Sequence, residues 1–175
     1  QFDPARGATN VPIATNVSFR LSDPLAGIVE STFRLWVNGT EVTGTPELTV
    51  VKVPAASDHP NTMAVSYNPP ADFAYATDIP VRIYAEDRVG NVTDLSYSFQ
   101  TVPAPTYNIS GTIKTSTGAP LAGVTVTAGG KTTQSDGNGA YRITGLLAGA
   151  YTVTPTRDQY VFAPTNAAVT LGPDD

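Results

Sequence analysis

From Ile109 to Val153, apolar residues return at every second position: Ile109, Gly111 and Ile113, then Val124 and Val126, Tyr141 and Ile143, Tyr151 and Val153. A period of two puts one face of an extended chain against a core and the other in water, so four half-buried strands are predicted. Between them lie Thr117-Gly118-Ala119-Pro120, Gly129-Gly130, Asp136-Gly137-Asn138-Gly139 and Ala148-Gly149, residues that reach positive φ or preset a turn at little cost. The stretch from Ser110 to Val153 holds no His, Cys or Glu. It describes a small β-sandwich built for shape, and it names no ligand.

The first hundred residues repeat the pattern with longer runs. Val17 to Leu21, Phe33 to Val37, Leu48 to Val53, Met63 to Tyr67, Val81 to Ala85 and Leu95 to Phe99 read as strands, and Val11-Pro12-Ile13 as an edge strand makes seven. Asn38-Gly39 after the Trp36 run is a two-residue hairpin signal that returns through Glu41-Val42. Short strands at this spacing predict an immunoglobulin or fibronectin III-like sandwich. At Thr101-Val102-Pro103-Ala104-Pro105-Thr106 the composition changes, and two closely spaced prolines favour an extended connector. The break predicts two domains, 1–103 and 104–175, and the fold class is all-β. Residues 1–103 carry six basic against eleven acidic side chains, a net of −5, whereas 104–175 balance at four against four. Both ends, Gln1-Phe2-Asp3-Pro4 and Gly172-Pro173-Asp174-Asp175, read as linker, as in a piece of a longer array.

Two family resemblances follow from these residues. Ser110-Gly111-Thr112, Gly118 to Val126, Ser135 to Tyr141, Gly145-Leu146, Gly149-Ala150-Tyr151 and Tyr160 to Pro164, in that order, resemble the carboxypeptidase regulatory-like family over about 107–172. The resemblance implies a seven-stranded, transthyretin-like sandwich, usually a non-catalytic accessory or stalk module of secreted and surface proteins. Pro4 to Pro12, Ser22 to Ile28, Leu35 to Gly39 and Ala85 to Asn91 resemble bacterial Ig-like domains over about 3–102.

Several chemistries are weak from the sequence alone. There is no cysteine, hence no disulfide, thiolate metal site or thiol nucleophile. The single His, His59 in Ser57-Asp58-His59-Pro60, sits in a predicted loop and reads as an exposed turn residue, which argues against a serine triad or a zinc site. An acidic chain without a basic track disfavours nucleic acid. No apolar run approaches the ~20 residues of a membrane-spanning helix. Calcium is the one cofactor considered, through the loop oxygens of Asp23, Asp87, Asn91 and Asp94, although six to eight ligands are the norm. Against it stands Asp87 as a hairpin residue bonding backbone amides. Lys114 and Asn166 are a candidate isopeptide pair, a bond that also needs a neighbouring buried acid. Asn16, Asn38, Asn91 and Asn108 open Asn-x-Ser/Thr sequons and are candidate glycosylation sites.

Strand parity supplies the remaining expectation. With Phe33, Leu35 and Val37 turned inward, Arg34 and Trp36 face outward; with Val81, Ile83 and Ala85 inward, so do Arg82 and Tyr84. Adjacent in an Ig-like sheet, these form an outward Trp36/Tyr84 patch flanked by Arg34 and Arg82, suited to packing by stacking and cation–π contact. The uses weighed are cover by another part of the chain, a contact with neighbouring domains or copies of the protein, and a platform for extracellular glycan. The function expected is a non-catalytic extracellular structural or adhesive module, a repeat or subunit of a surface filament or stalk. The alternative is a polysaccharide-binding segment of a larger secreted hydrolase.

Overall fold

The computed structural model describes residues 1–55 and 57–172, and among them are fourteen strands and no helix. The chain divides into two compact units, Gln1–Pro103 and Ala104–Asp175. The first holds β1 (Phe2–Asp3), β2 (Val17–Ser22), β3 (Ile28–Val37), β4 (Thr40–Glu41), β5 (Leu48–Val53), β6 (Thr62–Tyr67), β7 (Asp78–Asp87) and β8 (Val92–Gln100). They form two four-stranded sheets, ordered β1-β2-β6-β5 and β4-β3-β7-β8.

Alternation decides which side chains meet between these sheets. Val17, Phe19, Met63, Val65 and Tyr67 from one sheet pack with Phe33, Leu35, Val37, Ile79, Val81, Ile83, Tyr97 and Phe99 from the other. Removing this much apolar surface from water is the main favourable term, at ~25 cal/mol per Å² buried. Asn38 and Gly39 both take positive φ, at 51° and 79°, and pair Val37 with Thr40, the two-residue turn that suits strand twist. Between Val29 and Arg34 the β3 register shifts, and the Thr32 hydroxyl fills the gap by donating to Val29 O at 2.7 Å and accepting from Glu86 N at 2.9 Å.

The N-terminal segment departs from the linker expected of it. Phe2 and Asp3 pair with Phe19 and Ser18 of β2, Phe2 lies 4.9 Å from the Tyr97 ring, and Pro4 is buried. The chain then crosses to the other sheet, where 7–11 lies along the end of β8. Val11-Pro12-Ile13 is therefore no full strand; Val11 makes an isolated parallel bridge to Thr101. Of the other end, residues 173–175 lie outside the described residues.

The second unit holds β9 (Tyr107–Thr112), β10 (Thr125–Ala128), β11 (Lys131–Gln134), β12 (Ala140–Leu146), β13 (Gly149–Thr156) and β14 (Ala167–Leu171). A four-stranded sheet, β11-β10-β13-β14, faces a two-stranded sheet, β12-β9. The described strands number six where the resemblance implied seven; Lys114 and Pro120 contribute an isolated bridge. Ile109, Leu121, Val124, Val126, Ile143, Leu146, Val153 and Leu171 form a separate core. Buried polar groups are matched here: the Ser135 hydroxyl donates to Leu121 O at 2.7 Å and accepts from Val124 N at 3.0 Å. Gly139 at φ 74° bonds Ile113 N through its carbonyl, and a Cβ there would meet Ile113 O at 2.3 Å.

Two stability outcomes follow. Gly139→Ala lowers the second unit's unfolding free energy by more than ~1 kcal/mol and leaves the first unit's transition in place, read by differential scanning calorimetry. Tyr97 is buried, its hydroxyl has no hydrogen-bond partner among the described residues, and burial is the main cause of a phenol pKa pushed up to about 12. Because the folded value lies above the unfolded one, this contribution is complete below pH ~10 and is lost as pH rises through ~12. Tyr97→Phe removes that alkaline loss and leaves stability at neutral pH equal or higher, read by denaturant unfolding at pH 7 and above pH 10.

Candidate functional site

The outer face of β4-β3-β7-β8 brings Arg34, Trp36, Arg82 and Tyr84 together. Trp36 pairs across with Arg82, and Arg34 with Tyr84, while the next row outward places Glu41 opposite Trp36 and Asp94 opposite Tyr84. Directly opposed residues on one face lie within side-chain reach, so a polar ladder forms. Arg82 grips the Asp94 carboxylate with both Nε and Nη2, at 2.8 and 2.7 Å, and lays its guanidinium 4.9 Å from the centre of the Trp36 ring. Tyr84 donates its hydroxyl to Glu86. Arg34 stands 3.4 Å from Glu41 and also donates to the carbonyls of Ser31 and Phe33. Trp36 is half-buried.

Electrostatics follows these pairings. The Arg82 hydrogen bond, helped by its charge, outweighs desolvation and holds the Asp94 carboxyl below its ordinary range. The Glu86 bond, with desolvation, raises the Tyr84 phenol. The ladder therefore closes its own charges: each outward cation has an anion, and one face of the indole already carries a guanidinium.

The four candidate calcium ligands do not converge as a set. Asp23, Asp87 and Asn91 line one cavity of 100 Å³, whereas Asp94 is paired with Arg82 on the sheet face. The three that do meet are engaged with the chain itself. Asp23 Oδ1 accepts from Leu25 N and Ala26 N at 3.0 and 3.1 Å. Asp87 Oδ1 accepts from Val89 N and Asn91 N at 2.9 and 2.8 Å, and its Oδ2 from the Asn91 side chain at 2.6 Å. Desolvation pushes the Asp87 carboxyl up, but the bonds from Asn91, Val89 and Gly90 outweigh it and hold the group low. Asp136 builds the same hairpin in the second unit, accepting from Asn138 N and Ala140 N at 2.8 and 2.9 Å. Among the described residues no three His, Cys, Asp or Glu side chains gather as metal ligands.

His59 is not the exposed residue expected of it. The loop folds back over Gly27, whose missing Cβ leaves room for the His59 carbonyl, and the ring is half-buried with Nδ1 unpartnered among the described residues. No local signal marks this placement, because the contact joins two loops far apart in the chain. The sequon residues Asn16, Asn38, Asn91 and Asn108 are all exposed, with the Asn91 amide committed to Asp87. Lys114 and Asn166 line a single opening of 560 Å³ in the second unit.

Residues 108–175 match the carboxypeptidase regulatory-like domain. No curated protein matches the chain. Among solved structures, the chain is similar to a D312A form of BcpA, the major pilin subunit of Bacillus cereus, at 11% identity and a TM-score of 0.41. That alignment covers 96% of this chain and 64% of the pilin. It is similar to the Bacillus anthracis TIE protein at 8% identity and a TM-score of 0.46, over 98% of this chain and 37% of that one. CopC from Methylosinus trichosporium OB3b aligns at 14% identity and a TM-score of 0.39, over 60% of this chain and 92% of CopC. At these values the similarities say nothing of activity or partners.

Trp36 is the sole tryptophan, so its emission reports on the ladder. Acidification protonates Asp94 below the ordinary carboxylate range, releases Arg82, and changes Trp36 fluorescence. Asp94→Asn abolishes that acid transition while the melting temperature stays close to the wild-type value, because the pair is exposed.

Proposed function

We propose that the chain is a non-catalytic structural module of the cell surface or extracellular space, a repeat or subunit through which a filament or stalk carries tension. One observation carries the reading: in the first unit, 7–11 runs parallel to 98–102. Gly7 N donates to Ser98 O at 2.8 Å, Gln100 N to Ala8 O at 2.7 Å, Val11 N to Gln100 O at 3.0 Å and Val102 N to Val11 O at 2.9 Å. Tension between the N-terminal segment and the connector pulls two parallel strands in opposite directions along their length. The four bonds are then loaded in shear and fail together, whereas a hairpin pulled at its open end unzips bond by bond.

Other features agree with this reading. Each unit has its own apolar core, so an array can be extended without leaving a core unfilled. Thr101, where the clamp ends, is buried and ties 73–77 to the strand, donating to Ala74 O at 2.7 Å and accepting from Thr77 N at 2.9 Å.

The test is single-molecule pulling of the whole chain from its two ends. Forced unfolding reports a rate over a barrier, and the bonds broken first set it. The first unit is expected to give a contour-length gain of ~30 nm at the higher force of the two units. Val11→Pro removes one clamp donor and lowers that force, with the second unit's event unchanged. Equal forces in wild type and variant, or a first unit that yields at the lower force, overturn the reading.

A further inference from the structure

We infer that copies of this chain associate head to tail, with the loop end of one copy's first unit seated in the open end of the next copy's second unit. This rests on the filament reading above and names the contact that would build it.

The protruding partner is the end of the first unit formed by the β2–β3 turn, residues 57–61 and the β7–β8 hairpin. These loops are tied to one another: Asp23 N donates to Asn61 O at 2.9 Å, Ile28 N to Pro60 O at 3.0 Å and Arg88 N to Gly27 O at 3.2 Å. Asp23 Oδ1 fixes the turn through the amides of Leu25 and Ala26. On this bonded platform Leu25 is 96% exposed and Val89 73% exposed. A large aliphatic side chain held out in water on a rigid turn carries little ordering cost when it is buried by a partner.

The receiving partner lies at the end of the second unit where β9 finishes and β12 begins. A two-stranded sheet is too narrow to cover a four-stranded one, so the sandwich stays open there. The opening has a volume of 560 Å³, within the range of ligand and side-chain pockets, and is lined by Ile113, Leu121, Val126, Val153, Phe162 and Ala167. Leu121, Val126 and Val153 belong to the buried core and form the floor of the opening, and the accessible wall is Ile113, Phe162 and Ala167. An exposed aliphatic projection on one unit thus has a partly apolar recess on the other to enter.

Charge agrees. Asp23, Asp58, Glu86 and Asp87 surround the projection, with Arg88 as the neighbouring cation. At the recess stands Lys114, which takes part in none of the ion pairs among the described residues. Nearby, Arg157 lies 4.8 Å from the ring of Tyr160, another lining residue. Each copy then carries one projection and one recess on different surfaces, which makes the contact heterologous and repeatable.

The experiment is sedimentation velocity with light scattering on the whole chain over a wide concentration range, for wild type, Leu25→Asp and Ala167→Trp. Ala167 lies opposite Val153 on the same face of its sheet, so a tryptophan there fills the recess. Circular dichroism and melting establish that each variant is folded. The mass of the wild type is expected to rise with concentration, and each variant alone to associate at least about tenfold more weakly. An equimolar mixture of the two variants forms dimers and no longer species, since only one intact projection and one intact recess remain. Association that persists in both variants overturns this contact and leaves the filament reading standing. A mixture that stays monomeric while the wild type assembles also overturns it, and a wild type that is monomeric at every concentration removes the contact and the self-assembling filament together.

Discussion

A sheet with one apolar face must place that face against another, and in both units this requirement sets everything else. Leu35, Met63, Ile79 and Val81 in the first core, with Val124 and Val126 in the second, are sealed from solvent because each stands at an inward position of its alternation or at a strand entrance. Slipping any of these strands by one residue turns its whole apolar set outward, so the register is fixed by burial. The polar ladder on the outer face is a consequence. Once Leu35 and Ile83 are paired inside, Arg34 must meet Tyr84 and Trp36 must meet Arg82 outside.

Polar side chains here mostly serve the backbone. Asp87 and Asp136, in separate units, close hairpins of the same kind, each carboxylate accepting amides two and four residues on, with Gly90 and Gly139 at positive φ three residues on. A carboxylate spent in this way is a poor cation ligand, since its lone pairs already have partners. Thr32, Thr101 and Ser135 satisfy a bulge, a loop and a buried strand entrance from within.

The edges of the sheets are treated differently, and the differences shape function. On β5 the inward position nearest the strand's end is Lys52, which reaches Glu30 at 2.7 Å, a charge placed where a further strand would have to pack. On β8 the second half is covered by the chain's own 7–11, whose backbone bonds occupy the edge. The second unit's smaller sheet has only two strands, and an opening at one end is floored by the buried core residues Leu121, Val126 and Val153.

Period-two alternation determined the all-β class and the inward and outward sets of β3, β7, β9, β10, β12 and β13, and turn residues determined the Asn38-Gly39 hairpin, because these depend on residues close in the chain; β5 escaped it, with Val51 and Val53 facing out and Lys52 in. The outward placement of Arg34, Trp36, Arg82 and Tyr84 followed from the same parity. Short polar strands escaped it: β11 reads Lys131-Thr132-Thr133-Gln134 and β14 begins Ala167-Ala168, with no apolar alternation to mark them. Phe2 and Asp3 escaped it too, since two residues make no period, and their pairing depends on a β2 edge left open fifteen residues on. Only the tertiary structure decided that Asp94 joins Arg82 instead of Asp87, that His59 tucks over Gly27, that 7–11 pairs in parallel with 98–102, and that the second unit has an opening at one end. Each of these joins residues distant in sequence, and the local chain carries no record of which partner folding brings to it.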